Sequence, residues 1–217
     1  MSFKWKQEWL ALLAIVAAFV ASIIFYPQLP DPMPIHWNTA AQPDNYSSRL
    51  IGAFLLPAIM LGVYLLLLFL PRIDPKRANI ERFSDTYTLV RIGIILFFAY
   101  IHGVVLYTVL NHQESLSTGF VASGLGVLLM LIGNYMPRMR RNWFMGIRTP
   151  WTLSSDSVWR KTHRLGGKLF MLAGLLMLLT PLFDASSTVW IMMLVVLPAA
   201  LVPIAYSYLL YQREQHA

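Results

Sequence analysis

The chain has 217 residues, of which 57% are hydrophobic and 12% charged, about half the roughly 25% of a typical soluble domain. Its formal net charge is +7 and it has no cysteine, which excludes a disulfide framework, a thiolate zinc site, an iron–sulfur cluster and a cysteine nucleophile. The apolar residues are blocked into long charge-free runs, so the sequence reads as a membrane protein.

A helix needs about 20 mostly apolar residues to cross a bilayer. Closed barrels, the other spanning architecture, need an apolar–polar alternation that these runs lack. The first run, Trp9–Phe25, follows Lys4 and Lys6 as a signal peptide would. It is longer than the usual apolar stretch of about 7–15 residues and ends in Tyr-Pro, so it reads as a retained helix. Pro27–Leu50 follows as a loop holding Pro27, Pro30, Pro32, Pro34 and Pro43. Prolines at this density fix φ and lower the entropy of the unbound segment. Ile35-His36-Trp37-Asn38 continues as a short strand or lies on the membrane face with Trp37 as interfacial anchor, and Gln42-Pro43-Asp44-Asn45 has turn chemistry. His36, Trp37, Asn38 and Asp44 beside Pro34 make a candidate ligand-facing surface, or else a loop packed over the bundle mouth. A lone histidine with Asp31 or Asp44 is a poor metal set, and none is assigned.

Ile51–Leu70 and Ile92–Leu110 are the second and third runs. His102 lies near the centre of the third, where an ionisable residue is a functional candidate and a neutral imidazole bonded to a neighbouring helix is the simpler reading. Leu116–Met136 is the fourth run; Gly119/Ser123 and Ala122/Gly126 permit close helix approach, within the bundle or in a homodimer. Asn134 near its end reads as interhelical glue. The loop Pro137–Lys168 is strongly basic. Within it Gly146-Ile147-Arg148-Thr149-Pro150-Trp151 combines backbone-defining Gly and Pro with single polar groups, which indicates a defined fold that docks a partner or braces the helices. Ser154-Ser155-Asp156 can cap a helix over Ser157–Arg164, which sets Trp159 and His163 on one face and lies in the interface or runs straight into the next span. Leu169–Phe183 and Val189–Tyr211 complete six spans. Pro57, Pro181, Pro198 and Pro203 are candidate kinks.

Arg49 alone among the 17 Lys and Arg falls on one side of this topology, with Arg91 counted at a helix junction on the other. The excess marks the cytoplasmic side, so the expected fold is an all-α bundle of six transmembrane helices with both termini cytoplasmic. The basic balance thereby reads as sidedness, not as nucleic-acid binding. No HExxH, GxSxG or GxxxxGK[ST] motif is present, so the chain does not read as an enzyme and no cofactor is expected.

Pro34-Ile35-His36-Trp37-Asn38 followed by Gln42-Pro43-Asp44 resembles the outer-loop motif of the bacterial DUF1648 domain, with Ala41 where a glycine often stands. Gly146-Ile147-Arg148-Thr149-Pro150-Trp151-Thr152-Leu153, then Val158-Trp159 and His163-Arg164, resembles the C-terminal half of the SdpI family. Members of that family join both parts in one six-span protein. The resemblance implies a DUF1648-like half over 1–110, with its outer loop at 27–50, and an SdpI-like half over 111–217, with its inner basic loop at 137–168. It implies an immunity protein of the bacterial cytoplasmic membrane, protecting against a secreted membrane-active peptide. It further implies a receptor that holds a transcriptional repressor at the inner face. On that reading Pro34, His36, Trp37, Asn38 and Asp44 meet the ligand, and Gly146, Arg148, Thr149, Pro150, Trp159, His163 and Arg164 dock a partner or brace the bundle. The alternative is a small-solute or lipid transporter using the bundle interior at His102.

Overall fold

The computed structural model describes residues 5–216. Lys4 of the charge argument lies outside them, and the side chain of Lys6 is likewise not described. Among the described residues six helices are long and apolar enough to cross a membrane, and they form one bundle.

Helix α1 (Trp5–Phe25) runs into a single 3-10 turn at Tyr26–Gln28, where Pro27 at the second position needs no backbone N–H. The outer loop then forms an antiparallel hairpin of β1 (Met33–Trp37) and β2 (Pro43–Ser47). This decides the open choice at Ile35–Asn38 in favour of a strand. It corrects the turn expected at Gln42–Asn45: the chain reverses at Asn38–Gln42 instead, and Pro43, Asp44 and Asn45 belong to β2. Ser48 caps α2 (Arg49–Ile73), its Oγ accepting from Ile51 N–H at 3.4 Å. A short α3 (Arg77–Glu81) leads into α4 (Ser84–Leu110), and a brief connection into α5 (Thr118–Tyr135).

After α5 the chain makes a 3-10 turn at Met136–Arg138, a compact loop, and the short α6 (Pro150–Ser154). Helix α7 (Asp156–Met177) follows, capped by Ser155 through Val158 N–H at 3.2 Å. The stretch Ser157–Arg164 therefore runs straight into the fifth span, which begins at Asp156 and not at Leu169. Asp184 caps α8 (Ala185–Gln215), which carries Pro198 and Pro203 inside it. Pro181 lies in a 3-10 turn between α7 and α8 rather than within a helix.

Because the number of spans is even, both termini lie at one end of the bundle, here the basic end; the β-hairpin sits at the other. Helices α1, α2 and α4 share one apolar core around Ile15, Met60, Tyr64 and Ile95. Helices α5, α7 and α8 share another around Ala122, Leu129, Met177 and Ala199. At the basic end Ile80, Tyr87, Met136, Met145 and Trp159 join the two.

Small residues set the α5–α7 distance. A Cβ on Gly119 would lie 2.7 Å from Pro181 Cα, one on Gly126 2.7 Å from the Gly174 carbonyl oxygen, and one on Gly133 2.7 Å from that of Gly167. These glycines recur every seventh residue on one antiparallel seam, so backbone packs on backbone. The small residues of the fourth span thus serve internal packing at Gly119, Ala122 and Gly126, whereas Ser123 bonds back to the Phe120 carbonyl at 2.9 Å. Asn134, expected between helices, is exposed near the basic end of α5.

Candidate functional site

The hairpin is fastened at three points. Met33 is fully buried against Gly52, where a Cβ would come within 2.6 Å of its Sδ, so α2 offers a slot in place of a side chain. Asp31 Oδ1 accepts from Arg49 N–H at 3.2 Å and ties the approach strand to the start of α2. At the tip, the Ala41 carbonyl accepts from Leu116 N–H at 2.9 Å, joining the hairpin to the α4–α5 connection. Ala41 holds φ +62°, a left-handed conformation that glycine adopts at less cost.

Within this frame the candidate residues separate. Asn38 organises the turn: its Oδ1 accepts from Ala40 N–H at 2.9 Å and Gln42 N–H at 3.1 Å. Trp37 and Pro34 are half-buried. Trp37 packs on the apolar cluster of Leu29, Val105 and Val109, and both line a shallow cavity of about 250 Å³ between the hairpin and His112. His36 and Asp44 are exposed and face each other across the strands, Nδ1 to Oδ1 at 2.6 Å. The carboxylate accepts a hydrogen bond from Nδ1–H, which leaves Nε2 available to a ligand.

The basic loop is built around two buried rings. Trp159 and His163, one turn apart on α7, stack with centroids 4.0 Å apart. Trp159 Nε1 donates to the Met139 carbonyl at 2.8 Å. His163 Nε2 accepts from Ile147 N–H at 3.0 Å, so the proton resides on Nδ1, which donates to the Trp159 carbonyl at 2.8 Å. Gly146 stands against this imidazole: its φ is +104°, and a Cβ would lie 2.3 Å from His163 Nε2. Thr149 caps α6 in a reciprocal box with Thr152 and meets Ser207 of α8, Oγ1 to Oγ at 3.0 Å. Buried Asn142 accepts from Phe144 and Met145 N–H and donates to the Arg140 and Met145 carbonyls. Asp74, after α2, accepts from Trp143 N–H at 2.9 Å. Burial at this junction lowers the neighbouring Lys76 ammonium below its ordinary range, with Arg141 adding to the effect.

Gly146, Thr149, Trp159 and His163 therefore brace the loop against α7 and α8. Arg148, Pro150 and Arg164 are exposed, with Arg148 Nη1 donating to the Trp143 carbonyl at 2.7 Å.

Two buried polar contacts join α1 to α4. Ser22 Oγ donates to the Ala53 carbonyl at 2.6 Å and, with its one proton so committed, accepts from His102 Nε2 at 3.0 Å. Nearer the basic end, Glu8 pairs with Arg91, both about 3% exposed. Tyr64 OH donates to Glu8 Oε2 at 3.2 Å, and Arg91 lies over the Tyr87 ring. This corrects the placement of Arg91 at a helix junction: it lies two turns inside α4, buried and paired with a carboxylate of α1. Both residues stand at the edges of charge-free runs, where a hydropathy criterion takes charges as boundaries.

The chain matches the SdpI/YfhL protein family over residues 138–207 and the domain of unknown function DUF1648 over residues 13–61. It is 26% identical over 216 residues to the protein named Immunity protein SdpI of Bacillus subtilis (strain 168), covering 96% of this chain and 97% of that one. It is 49% identical over 47 residues to the uncharacterized membrane protein YbgB of the same organism, covering 22% of this chain and 52% of that one. No solved structure matches. The two matched segments lie in one six-helix membrane protein, the segment similar to DUF1648 preceding the one similar to the SdpI/YfhL proteins.

Proposed function

We propose that the protein confers immunity in the bacterial cytoplasmic membrane against a secreted membrane-active peptide. The observation that carries this reading is the likeness to Immunity protein SdpI along 96% of the chain. The hairpin end faces outward and both termini lie in the cytoplasm, in keeping with the basic residues gathered at the other end. The halves 1–110 and 111–217 divide the work: the first receives the peptide, the second reports inward. The exposed His36–Asp44 pair, with Pro34 and Trp37 beside it, meets the peptide, while Asn38 holds the turn. Arg148, Pro150 and Arg164 form the face that a cytoplasmic repressor docks on, supported from behind by Trp159 and His163. A peptide moves that face only by as much as it prefers one bundle state over another. The hydrogen bond from Leu116 to the hairpin tip is a physical link through which such a preference reaches α4 and α5.

Cells expressing the protein should survive challenge with membrane-active peptides secreted by the same organism or its neighbours. A His36→Ala/Trp37→Ala variant present in the membrane at equal amount should lose that survival. Equal killing of expressing and non-expressing cells across such a peptide panel overturns the immunity reading. Protection that persists in the double variant overturns the role given to the hairpin.

A further inference from the structure

Two cavities lie on the same α4–α5 seam and differ in chemistry. The first, about 670 Å³, opens at the basic end between the start of α4 and the turn after α5. Arg82, Arg138, Arg140 and Arg160 line it, with the Ser84 and Thr86 side chains. None of these guanidinium groups has a carboxylate within ion-pair distance among the described residues. The two carboxylates on its wall are engaged: Glu81 with Arg77 at 3.7 Å and Asp85 with Gln7 Nε2 at 3.5 Å. Arg138 lies over the Tyr135 ring, 4.9 Å from its centroid, which holds that guanidinium at the end of α5.

The second cavity, about 370 Å³, is an almost wholly apolar groove between Gly93, Phe97 and Tyr100 on α4 and Gly124, Val127 and Leu131 on α5. On α4, positions 86, 93, 97 and 100 are seven, four and three residues apart; on α5, positions 124, 127 and 131 keep the same rhythm, and Arg138 closes the 3-10 turn that follows. Such spacing puts both cavities on one stripe of α4 and runs the groove along α5 toward the turn that carries Arg138. At 1.5 Å per residue the groove begins about 10 Å above Thr86 and ends about 21 Å above it. One leaflet of a bilayer some 40–45 Å thick, headgroups included, has the same depth. Both volumes fall in or near the range of about 300–1,000 Å³ typical of small-molecule sites.

We propose that the α4–α5 seam is a binding site for one anionic phospholipid, its phosphate among Arg82, Arg138, Arg140 and Arg160 and one acyl chain in the groove. The arginines favour a phosphate by charge and by their planar donor fork, and the groove adds a requirement for an attached chain. The site is remote from the hairpin, so it stands or falls separately from the immunity reading.

The test measures melting of the full-length protein in neutral detergent with dioleoylphosphatidylglycerol, dioleoylphosphatidylcholine or glycerol 1-phosphate. Native mass spectrometry counts the lipid retained. Phosphatidylglycerol should raise the melting temperature and remain as a single bound lipid, and the other two should do neither. R82Q and R160Q, both at exposed positions, should each weaken phosphatidylglycerol binding by about fivefold, the effect of one cation at a lipid surface. V127W, filling the groove from its lipid-facing side, should weaken it without lowering the melting temperature of the lipid-free protein. Equal stabilisation by phosphatidylcholine would show ordinary annular lipid, and equal stabilisation by glycerol 1-phosphate a soluble phosphate site; either overturns the proposal. So does phosphatidylglycerol binding that all three variants leave unchanged.

Discussion

Gly146 carries two demands at one Cα. Its φ of +104° excludes most side chains, and the His163 imidazole occupies the place of a Cβ. Replacing it with alanine strains the backbone, at about 1–3 kcal/mol for a residue held in such a region, and displaces the ring that accepts from Ile147. G146A should therefore melt lower than the parent in detergent, whereas exposed R148A should stay within about 0.5 kcal/mol of it. A G146A protein as stable as the parent would remove the brace assigned to this loop. The sequence reading of this region extends to a defined fold held by Gly and Pro. It does not extend to which polar residues face inward, because Trp159, His163, Arg160 and Arg164 share one short helical stretch and only the packing of α5 and α8 tells their faces apart.

Helices were legible where charge was absent. All six spans follow from apolar runs, because a bilayer accepts little else at that length. What those runs obscure is their ends: α4 begins at Ser84 and α7 at Asp156, each a full turn or more before the charges stop. The second strand of the hairpin was hidden for another reason, since Pro43-Asp44-Asn45 has the composition of a turn and is drawn into a strand by pairing with Trp37 and His36. The Glu8–Arg91 pair is the largest consequence of such hidden ends. A buried ion pair that loses one partner leaves a bare charge, at about 3–5 kcal/mol, while removing both is often close to neutral. E8Q alone should destabilise by that amount, and E8Q/R91M should recover most of it. A double variant no more stable than E8Q would mean that the pair does not hold α1 against α4.

For the whole molecule, the sorting of charge between the two ends gives an orientation that can be tested directly, because the chain has no cysteine of its own. T39C at the exposed hairpin tip should react with a membrane-impermeant maleimide in intact cells, and H216C only after the membrane is opened. The reverse pattern would invert the orientation and with it the roles given to the two loops. The architecture also bears on how the protein is made. Glu8 and Arg91 are 83 residues apart in the chain, so at roughly 5–20 residues per second the ribosome needs about 4–17 s to deliver the arginine after the glutamate. Until then the first helix carries a carboxylate without its counter-ion and has reason to remain near the aqueous edge of the bilayer. Insertion of this protein should therefore finish out of sequence, its first helix settling after its third long helix has emerged.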